Sequence, residues 1–282
     1  MRWIHAALLG SALLARSALA ELTFTVEATR NGVAIPKSEI KLVPFEFGRS
    51  RPSRGGGSPP PGHQRTKTRR SNALVDSANW CGSVNYTPST KQIKNIHGYF
   101  QHPQCSKRAG VTTYPQGVAA WVGIDGETYT NALLQSGTLC KIDNSTGISK
   151  NEAWWQWVPE AAFMIASMPV EAYDWFEVTI NTTSNTAGMV TITNLSKMHT
   201  YTISVVDGPT LARVDADWVV ERPYYGGSLA GFPSFSDVWF EDASATRTDG
   251  SNLGVLGASQ FQIPDLCASG EVNNTHLVSW SL

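Results

Sequence analysis

The chain has 282 residues and an almost balanced charge, with 22 Lys and Arg against 23 Asp and Glu. The charges are unevenly divided, because residues 21–70 carry a net charge of +6 and residues 71–282 a net charge of −9. A nucleic-acid-binding protein needs its basic charge on the folded part, and the acidic balance there excludes this class. The opposite charges of the two parts instead predict attraction between them.

The N-terminus is typical of a secretory signal peptide. Arg2 supplies a positive charge, an apolar run covers residues 4–14, and Ala-Leu-Ala at 18–20 is a signal-peptidase cleavage motif. The apolar run is too short to span a bilayer and no later stretch is long enough, so we expect no membrane segment. Residues 1–20 are therefore predicted to be removed and the protein to be secreted and extracellular; an N-terminal membrane anchor is the alternative.

Residues 21–70 differ in composition from the rest of the chain. The stretch 48–70 is rich in Gly, Pro and Arg and poor in apolar residues, so it cannot build a core of its own. It ends in Arg69-Arg70, a typical site for a processing protease of the secretory pathway. We interpret residues 21–70 as a basic pro-segment that docks on the acidic part and acts as its intramolecular inhibitor. A flexible linker that stays attached is the alternative.

Residues 71–282 predict one all-β domain, which we expect to be a monomer. Stretches such as "KNIHGYF", "FEVTINTTSN" and "MVTITNLS" alternate apolar and polar residues and are separated by Gly, Asn, Asp, Ser and Pro. The stretch 179–194 predicts a hairpin with its turn near residues 185–188. Many short strands in one domain of this size favour a sandwich or jelly roll, because both architectures protect strand edges.

All four cysteines lie in this acidic part, and an even number in a secreted chain predicts two disulfides. Cys81 and Cys105 lie on neighbouring predicted strands, so we favour the pairs Cys81–Cys105 and Cys140–Cys267 among the three possible connectivities. The spacing of Cys and His does not fit a zinc site, so no metal is expected. Glycosylation sequons predict exposed loops around five asparagines: Asn85, Asn144, Asn181, Asn194 and Asn273.

Four predicted strands share an unusual pattern, in which one face mixes polar side chains with tryptophan or small residues. Successive side chains of a strand point to opposite faces, so residues two apart share a face. The other faces of these strands are mostly apolar and are expected in the core. The residues that share the polar faces are Trp121 with Gly123 and Asp125, Leu133 with Gln135, Glu152 with Trp154 and Gln156, and Asp217 with Val219 and Glu221.

Two interpretations of these faces are open from the residues alone. They can be ordinary outer faces of sheets, where polar residues are the normal alternation. They can instead line one groove with tryptophan walls that binds an extended ligand. The second interpretation is favoured by the three tryptophans at 154, 155 and 157, since so many beside Glu and Gln are unfavourable on a plain solvated face.

The motifs "AWVGIDG…LLQSG", "EAWWQWVPE" and "ADWVVERP" resemble the glutamic peptidases (eqolisins), the secreted acid proteases of fungi. The resemblance covers most of residues 77–282, and the basic leader is similar to the pro-segment of that family. It implies an antiparallel β-sandwich of two curved sheets, of concanavalin or jelly-roll type, with a concave active-site groove. It also implies that protein and peptide substrates are cleaved without a metal or cofactor.

The resemblance assigns catalytic roles to Gln135 and Glu221. It assigns substrate-binding positions to Trp121, Asp125, Glu152, Trp154 and Gln156; at Gln156 the family has a glutamate. In the implied mechanism, Glu221 takes a proton from water and returns it to the leaving nitrogen, while Gln135 orients the water and stabilises the oxyanion. The alternatives are a glycosidase that pairs Glu221 with another carboxylate, and a lectin-like carbohydrate-binding module.

Overall fold

The computed structural model describes residues 22–45 and 73–282. The predicted signal peptide, most of the basic stretch and Arg69-Arg70 lie outside these described residues. The prediction of an all-β sandwich is confirmed, because regular structure in the described residues is almost entirely strand. The two helices described are single 3-10 turns, at Lys37–Glu39 and Ser89–Lys91. No helix in the described ranges is long and apolar enough to cross a membrane.

One large sheet contains ten strands, numbered here in chain order through the described residues. They are β1 (Phe24–Arg30), β2 (Val33–Ala34), β6 (Ile93–Gln101), β12 (Trp175–Thr182), β13 (Gly188–Asn194), β14 (His199–Val205), β19 (Val238–Arg247), β20 (Asn252–Leu253), β22 (Cys267–Asn273) and β23 (His276–Ser281). Their order is β2-β1-β14-β13-β12-β6-β19-β23-β22, and β20 pairs with β19. The predicted hairpin is confirmed, since residues 183–187 connect β12 to β13.

The second large sheet contains nine strands. They are β3 (Leu42–Phe45), β4 (Leu74–Asp76), β5 (Trp80–Tyr86), β8 (Gln116–Ile124), β9 (Leu133–Ile142), β10 (Ser149–Val158), β11 (Ala162–Ile165), β15 (Asp215–Glu221) and β21 (Ser259–Gln262). Their order is β3-β11-β10-β9-β8-β15-β5-β21-β4, and all neighbours are antiparallel except β21 and β4. Two small two-stranded sheets complete the fold: β7 (Cys105–Ser106) with β18 (Ser234–Phe235), and the hairpin of β16 (Tyr224–Tyr225) with β17 (Ser228–Leu229).

The main hydrophobic core lies between the two large sheets. The nine-stranded sheet contributes the residues that the alternation assigned to the core, among them Val122, Leu134, Trp155 and Trp218. A smaller apolar cluster covers the opposite face of this sheet, which we call the outer face. It includes Trp80, Trp121, Leu133, Leu139, Trp154 and Val219. The predicted division of each central strand into two faces is therefore confirmed.

The predicted disulfide connectivity is wrong. The structure joins Cys81 to Cys267 and Cys105 to Cys140, with Cα–Cα distances of 6.1 and 6.2 Å. The prediction assumed that strands adjacent in sequence are adjacent in space. In fact Cys105 lies on β7, which pairs with β18, whereas Cys81 on β5 of the nine-stranded sheet faces Cys267 on β22 of the other sheet.

Three of the five sequon asparagines are not on the exposed loops that the sequence predicted. Asn194 is fully buried, and its side-chain amide donates to the Pro169 carbonyl and to Asp174 at 2.9 and 2.8 Å. Asn85 and Asn181 are half-buried within β5 and β12. Asn144 and Asn273 are exposed, as expected. Strand pairing and tertiary packing account for the difference, because a sequon by itself says nothing of either.

Candidate active site

Four adjacent strands of the nine-stranded sheet, in the order β15-β8-β9-β10, bring the predicted site residues together on the outer face. Their pairing aligns the side chains in three parallel rows across the sheet. In that strand order the rows are Asp217-Gly123-Gln135-Gln156, Val219-Trp121-Gly137-Trp154 and Glu221-Ala119-Leu139-Glu152. Gln135 thus lies in the first row, Trp121 in the middle row and Glu221 in the third.

Glu221 ends β15 as a fully buried carboxylate held by two nitrogen donors. The Trp121 indole Nε1 donates to Oε2 at 2.9 Å, and the Asn79 amide Nδ2 donates to Oε1 at 3.3 Å. Hydrogen bonds to the ionised form of a carboxyl group favour that form. The apolar strand Trp218-Val219-Val220 therefore delivers a carboxylate whose two oxygens are oriented by neutral donors.

Trp121 connects the row of Gln135 with the row of Glu221. Its indole nitrogen reaches Glu221 in the third row, while its six-membered ring lies over Gly123 in the first row. A Cβ at Gly123 would lie 2.8 Å from that ring, so a larger residue there would displace the indole. Trp80 packs edge to face against Trp121, with ring centroids 5.0 Å apart. The glycine and the second tryptophan together fix the ring that orients Glu221.

Gln135 is fully buried and belongs to a chain of amides. Its Nε2 donates to Gln156 Oε1 at 3.0 Å, and Gln156 Nε2 donates to the Glu160 carbonyl at 2.9 Å. The Gln135 side-chain oxygen has no hydrogen-bond partner among the described residues. Gln156 therefore orients the side chain of Gln135. The Gln135 side-chain oxygen and its second N–H remain available for a bound molecule.

Glu221 and Glu152 lie at opposite ends of the third row, and Tyr225 is close enough to feel the charge of both. Glu152 forms an ion pair with Lys150 and keeps about 20% of its side chain exposed. Burial raises the pKa of the Tyr225 hydroxyl, and the nearby charges of Glu152 and Glu221 raise it further. Tyr225 lies on the β16–β17 hairpin, which follows Glu221 directly in the chain. The hairpin thus brings a phenol close to both carboxylates.

Asp125, which the resemblance places in the site, is directed at the backbone of a neighbouring loop. Its Oδ2 accepts from the Arg213 N–H at 2.8 Å and its Oδ1 from the Val214 N–H at 2.7 Å. Burial raises the pKa of Asp125, and these backbone donors oppose the rise. Asp125 therefore holds the loop that leads into β15 and lies beyond the first row, away from Glu221.

Two further buried carboxyl groups lie on β15 itself. Asp215 accepts from the N–H groups of Glu127, Thr128 and Tyr129. Burial, and secondly the charge of Asp125, raises the pKa of Asp215 to about 7. Neither carboxyl oxygen of Asp217 has a hydrogen-bond partner among the described residues. Burial, followed by the charges of Asp215, Asp125 and Glu127, raises the pKa of Asp217 well above its usual range, so this group is neutral at acid pH.

Sequence reasoning missed Asn79 and Tyr225 as neighbours of Glu221. Asn79 immediately precedes β5, and Ser77 fixes it through a hydrogen bond from its Oγ to Asn79 Oδ1 and another from the Asn79 N–H to Ser77 Oγ. The available signal was the pair of polar residues in "SANW" directly before a buried strand. Tyr225 gave no such signal, because a tyrosine after a proline and before Gly226-Gly227 is typical of any turn.

Comparison with known proteins places this site in a family. Residues 78–280 match the peptidase A4 family. The chain is 33% identical to aspergillopepsin-2 of Aspergillus niger over 211 residues, which is 66% of this chain and 70% of that protein. It is 30% identical to scytalidopepsin B of Scytalidium lignicola over 153 residues, 51% of this chain and 56% of that protein.

Solved structures agree with the sequence matches. Scytalido-glutamic peptidase with a peptide-based transition-state analogue superposes with a TM-score of 0.63 at 25% identity, covering 73% of this chain and 98% of that one. Aspergilloglutamic peptidase from Aspergillus niger superposes with a TM-score of 0.53 at 30% identity, covering 59% and 99%. The family match covers 19 of the 23 strands described and every row of the site, and the chain belongs to the peptidase A4 family of glutamic endopeptidases.

Proposed function

We propose that Glu221 and Gln135 carry out peptide-bond hydrolysis in this peptidase. The observation that carries the proposal is the setting of Glu221, a fully buried carboxylate with one neutral N–H donor on each oxygen. Hydrogen bonds of this kind favour the ionised form of a carboxyl group, which can accept a proton.

Glu221 acts as general base and then as general acid. It removes a proton from the attacking water as the oxygen adds to the substrate carbonyl carbon. It then returns that proton to the amide nitrogen as the carbon–nitrogen bond breaks. One carboxylate is sufficient for both transfers because they occur in sequence.

Gln135 supplies the groups that Glu221 lacks. Its side-chain oxygen, which has no partner among the described residues, accepts a hydrogen bond from the attacking water. The N–H that does not bind Gln156 donates to the oxyanion that forms on the substrate carbonyl. Because a glutamine cannot ionise, the pair avoids the shared proton of a two-carboxylate site.

Gln156 stands where the family has a glutamate, and the structure gives its amide two roles. It accepts from Gln135 and donates to the Glu160 carbonyl. A glutamate at this position would need to be protonated to make both hydrogen bonds. We therefore expect the orientation of Gln135 to depend less on pH in this chain than in one that carries glutamate here.

The substrate is a protein or peptide that lies across the outer face. Trp121 and Trp154 are buried apolar side chains in the middle row, and Glu152 provides a partly exposed carboxylate at the edge of the site. Scytalido-glutamic peptidase binds a peptide-based transition-state analogue, which supports a peptide ligand for the same sheet here. The family match disfavours the carbohydrate-active alternatives, whose paired-carboxylate chemistry Gln135 cannot provide.

The leader is proposed to hold the peptidase inactive before secretion and processing are complete. Its last described residue, Phe45, packs against the outer apolar cluster and contacts Tyr225, with ring centroids 6.4 Å apart. Glu221 and Gln135 are fully buried in this unprocessed chain. Two disulfides suit the oxidising secretory pathway that residues 1–20 predict. Acid and salt should both accelerate activation, because each weakens attraction between the basic stretch and the acidic domain.

The decisive test replaces Glu221 with glutamine. Glu221→Gln retains the shape of the side chain and one of its two acceptor oxygens but removes the proton acceptor, so kcat should fall by about 10²–10⁴-fold or more. Asp217→Asn is the matched control, because it changes a buried carboxyl group on the same strand and the same face. Since Asp217 is neutral at acid pH, this substitution should leave kcat within about 3-fold.

The folds of both variants are first compared by circular dichroism. Each variant is then assayed at acid pH with a denatured protein as the substrate. A fully active Glu221→Gln variant would end the assignment. Equal losses in the two variants would show that any change to β15 disables the enzyme, and would remove the special role of Glu221.

A further inference from the structure

Residues 22–45 form strands in both large sheets, although they precede the region that matches the family. We call this segment the N-terminal clip. β1 pairs with β14 along its whole length, from Phe24 opposite Val205 to Arg30 opposite His199. β3 pairs with β11, from Leu42 opposite Ile165 to Phe45 opposite Ala162. The clip therefore occupies one edge of each sheet of the peptidase domain.

Apolar side chains of the clip close the gap between the two sheets at these edges. In β1 and just before it, Leu22, Phe24, Val26 and Ala28 alternate inward and pack on the main core. Phe24 crosses from one sheet to the other, with its ring centroid 4.9 Å from that of Trp155 and 5.0 Å from that of Phe163. Inward alternation of this kind is typical of a strand that belongs to the folded domain.

Hydrogen bonds outside the strand pairs fasten the clip just after β1 and just before β3. The Asn31 N–H donates to the Met198 carbonyl at 2.8 Å, beside the β13–β14 turn. The Lys41 N–H donates to Ser167 Oγ at 2.9 Å, and the Ala166 N–H donates to the Lys41 carbonyl at 2.8 Å. The clip is thus attached to β14 and to the loop after β11 independently of its covalent connection to residue 46.

The charge of the clip is too small to explain this attachment. It holds Arg30, Lys37 and Lys41 against Glu27 and Glu39, a net charge of +1, whereas the whole leader carries +6. Most of the basic charge therefore lies in residues 46–70. Sheet pairing and apolar burial are not weakened by salt as exposed charge pairs are. The two parts of the leader should respond differently to ionic strength.

We propose that the edges of β14 and β11 are a binding site for residues 22–45, and that the clip stays bound as a separate chain after cleavage between residues 46 and 72. An exposed strand edge binds any extended segment that satisfies its N–H and C=O groups, and proteins normally cover such edges. The clip covers two edges at once. It therefore remains part of the folded domain after the chain has been cut. This conclusion does not depend on the catalytic roles of Glu221 and Gln135.

The test uses the full chain with a single added cleavage site. A recognition sequence for a site-specific protease is inserted at residues 55–57, in a Glu221→Gln background that prevents self-digestion. The folded protein is cut and passed over a gel-filtration column at pH 4 and pH 7, each in 0.1 M and 1 M NaCl, and the peak is analysed by mass spectrometry. We expect the clip fragment to elute with the domain under all four conditions and to separate only in denaturant. Separation in native buffer at either salt concentration would overturn the proposal.

A matched pair of substitutions tests whether the inward side chains hold the fragment. Val26→Asp places a charge on the inward face of β1, and Thr25→Asp places the same charge on the exposed face of the same strand. Burial of an unpaired charge should make the Val26→Asp fragment dissociate at least about 10-fold faster after cleavage, with faster amide exchange in residues 199–205. The Thr25→Asp fragment should behave as the parent. Equal retention of the two fragments would overturn the argument that the inward side chains hold the clip. If Val26→Asp does not fold, the gel-filtration result for the unsubstituted protein still decides whether the clip stays bound.

Discussion

Asp215→Asn should make the protein resistant to unfolding at neutral pH. Asp215 is fully buried, and burial together with the charge of Asp125 raises its pKa to about 7. An asparagine keeps an oxygen for the N–H groups of Glu127, Thr128 and Tyr129 but cannot ionise. The substitution therefore removes a titration from the buried end of β15 with little change in shape.

The sign and size of the effect follow from the two pKa values. The folded state holds the Asp215 proton more tightly than the unfolded chain, where the pKa is near 3.8. The stabilising contribution of the neutral acid is therefore complete below about pH 4 and is lost as pH rises through 7. Each pKa unit corresponds to about 1.36 kcal/mol, so about 4 kcal/mol is lost over this range. That is a large part of the total stability of about 5–15 kcal/mol of a typical domain.

The assay measures the free energy of unfolding in urea at pH 4, 5.5, 7 and 8, in a Glu221→Gln background. The parent should lose about 4 kcal/mol more than Asp215→Asn between the ends of this series. Asp237→Asn removes an exposed carboxylate and serves as the control, with the pH dependence of the parent. Parallel curves for the parent and Asp215→Asn would refute the reasoning, since they would mean that Asp215 titrates alike in the folded and unfolded states.

Three further predictions concern the proposed roles of Gln135 and Glu221. Gln135→Ala should lower kcat by about 10²–10³-fold through loss of an oxyanion donor, and Gln135→Glu should not restore it; wild-type activity in either variant would contradict the role of the amide. Asn79→Ala should lower activity by about 10-fold and move the acid limb of the pH–rate profile to higher pH, because one donor to ionised Glu221 is lost. Asn85→Ala, which removes a half-buried amide bonded to the Gly254 carbonyl, should leave that limb in place. Pepstatin, which places a hydroxyl between two carboxylates, should bind poorly to a site with one, and stoichiometric inhibition would count against the dyad.

Much of the candidate site could be predicted from the sequence, because strand alternation is a local property. Trp121, Gln135, Trp154 and Glu221 each share a face with the neighbours that the period of two assigns to them, and the structure places all four on the outer face. Gln135 and Glu221, the polar residues that end two apolar runs, also lie on the face that the sequence predicted. Asp125 shows the limit of this reasoning, since the period gives its face but not the loop backbone that its carboxylate binds.

Local patterns of residues were enough to predict the β class, the division of each central strand into two faces, and membership of the family. These are set by patterns within ten residues of chain. Only the tertiary structure decided which strands are neighbours, and therefore which cysteines pair and which rows cross the sheet. It also decided that Asn79, about 140 positions before Glu221 in the chain, donates to it, and that residues 22–45 complete two sheets. Such contacts depend on the order and register of distant strands, which packing of the whole core selects and no local pattern specifies.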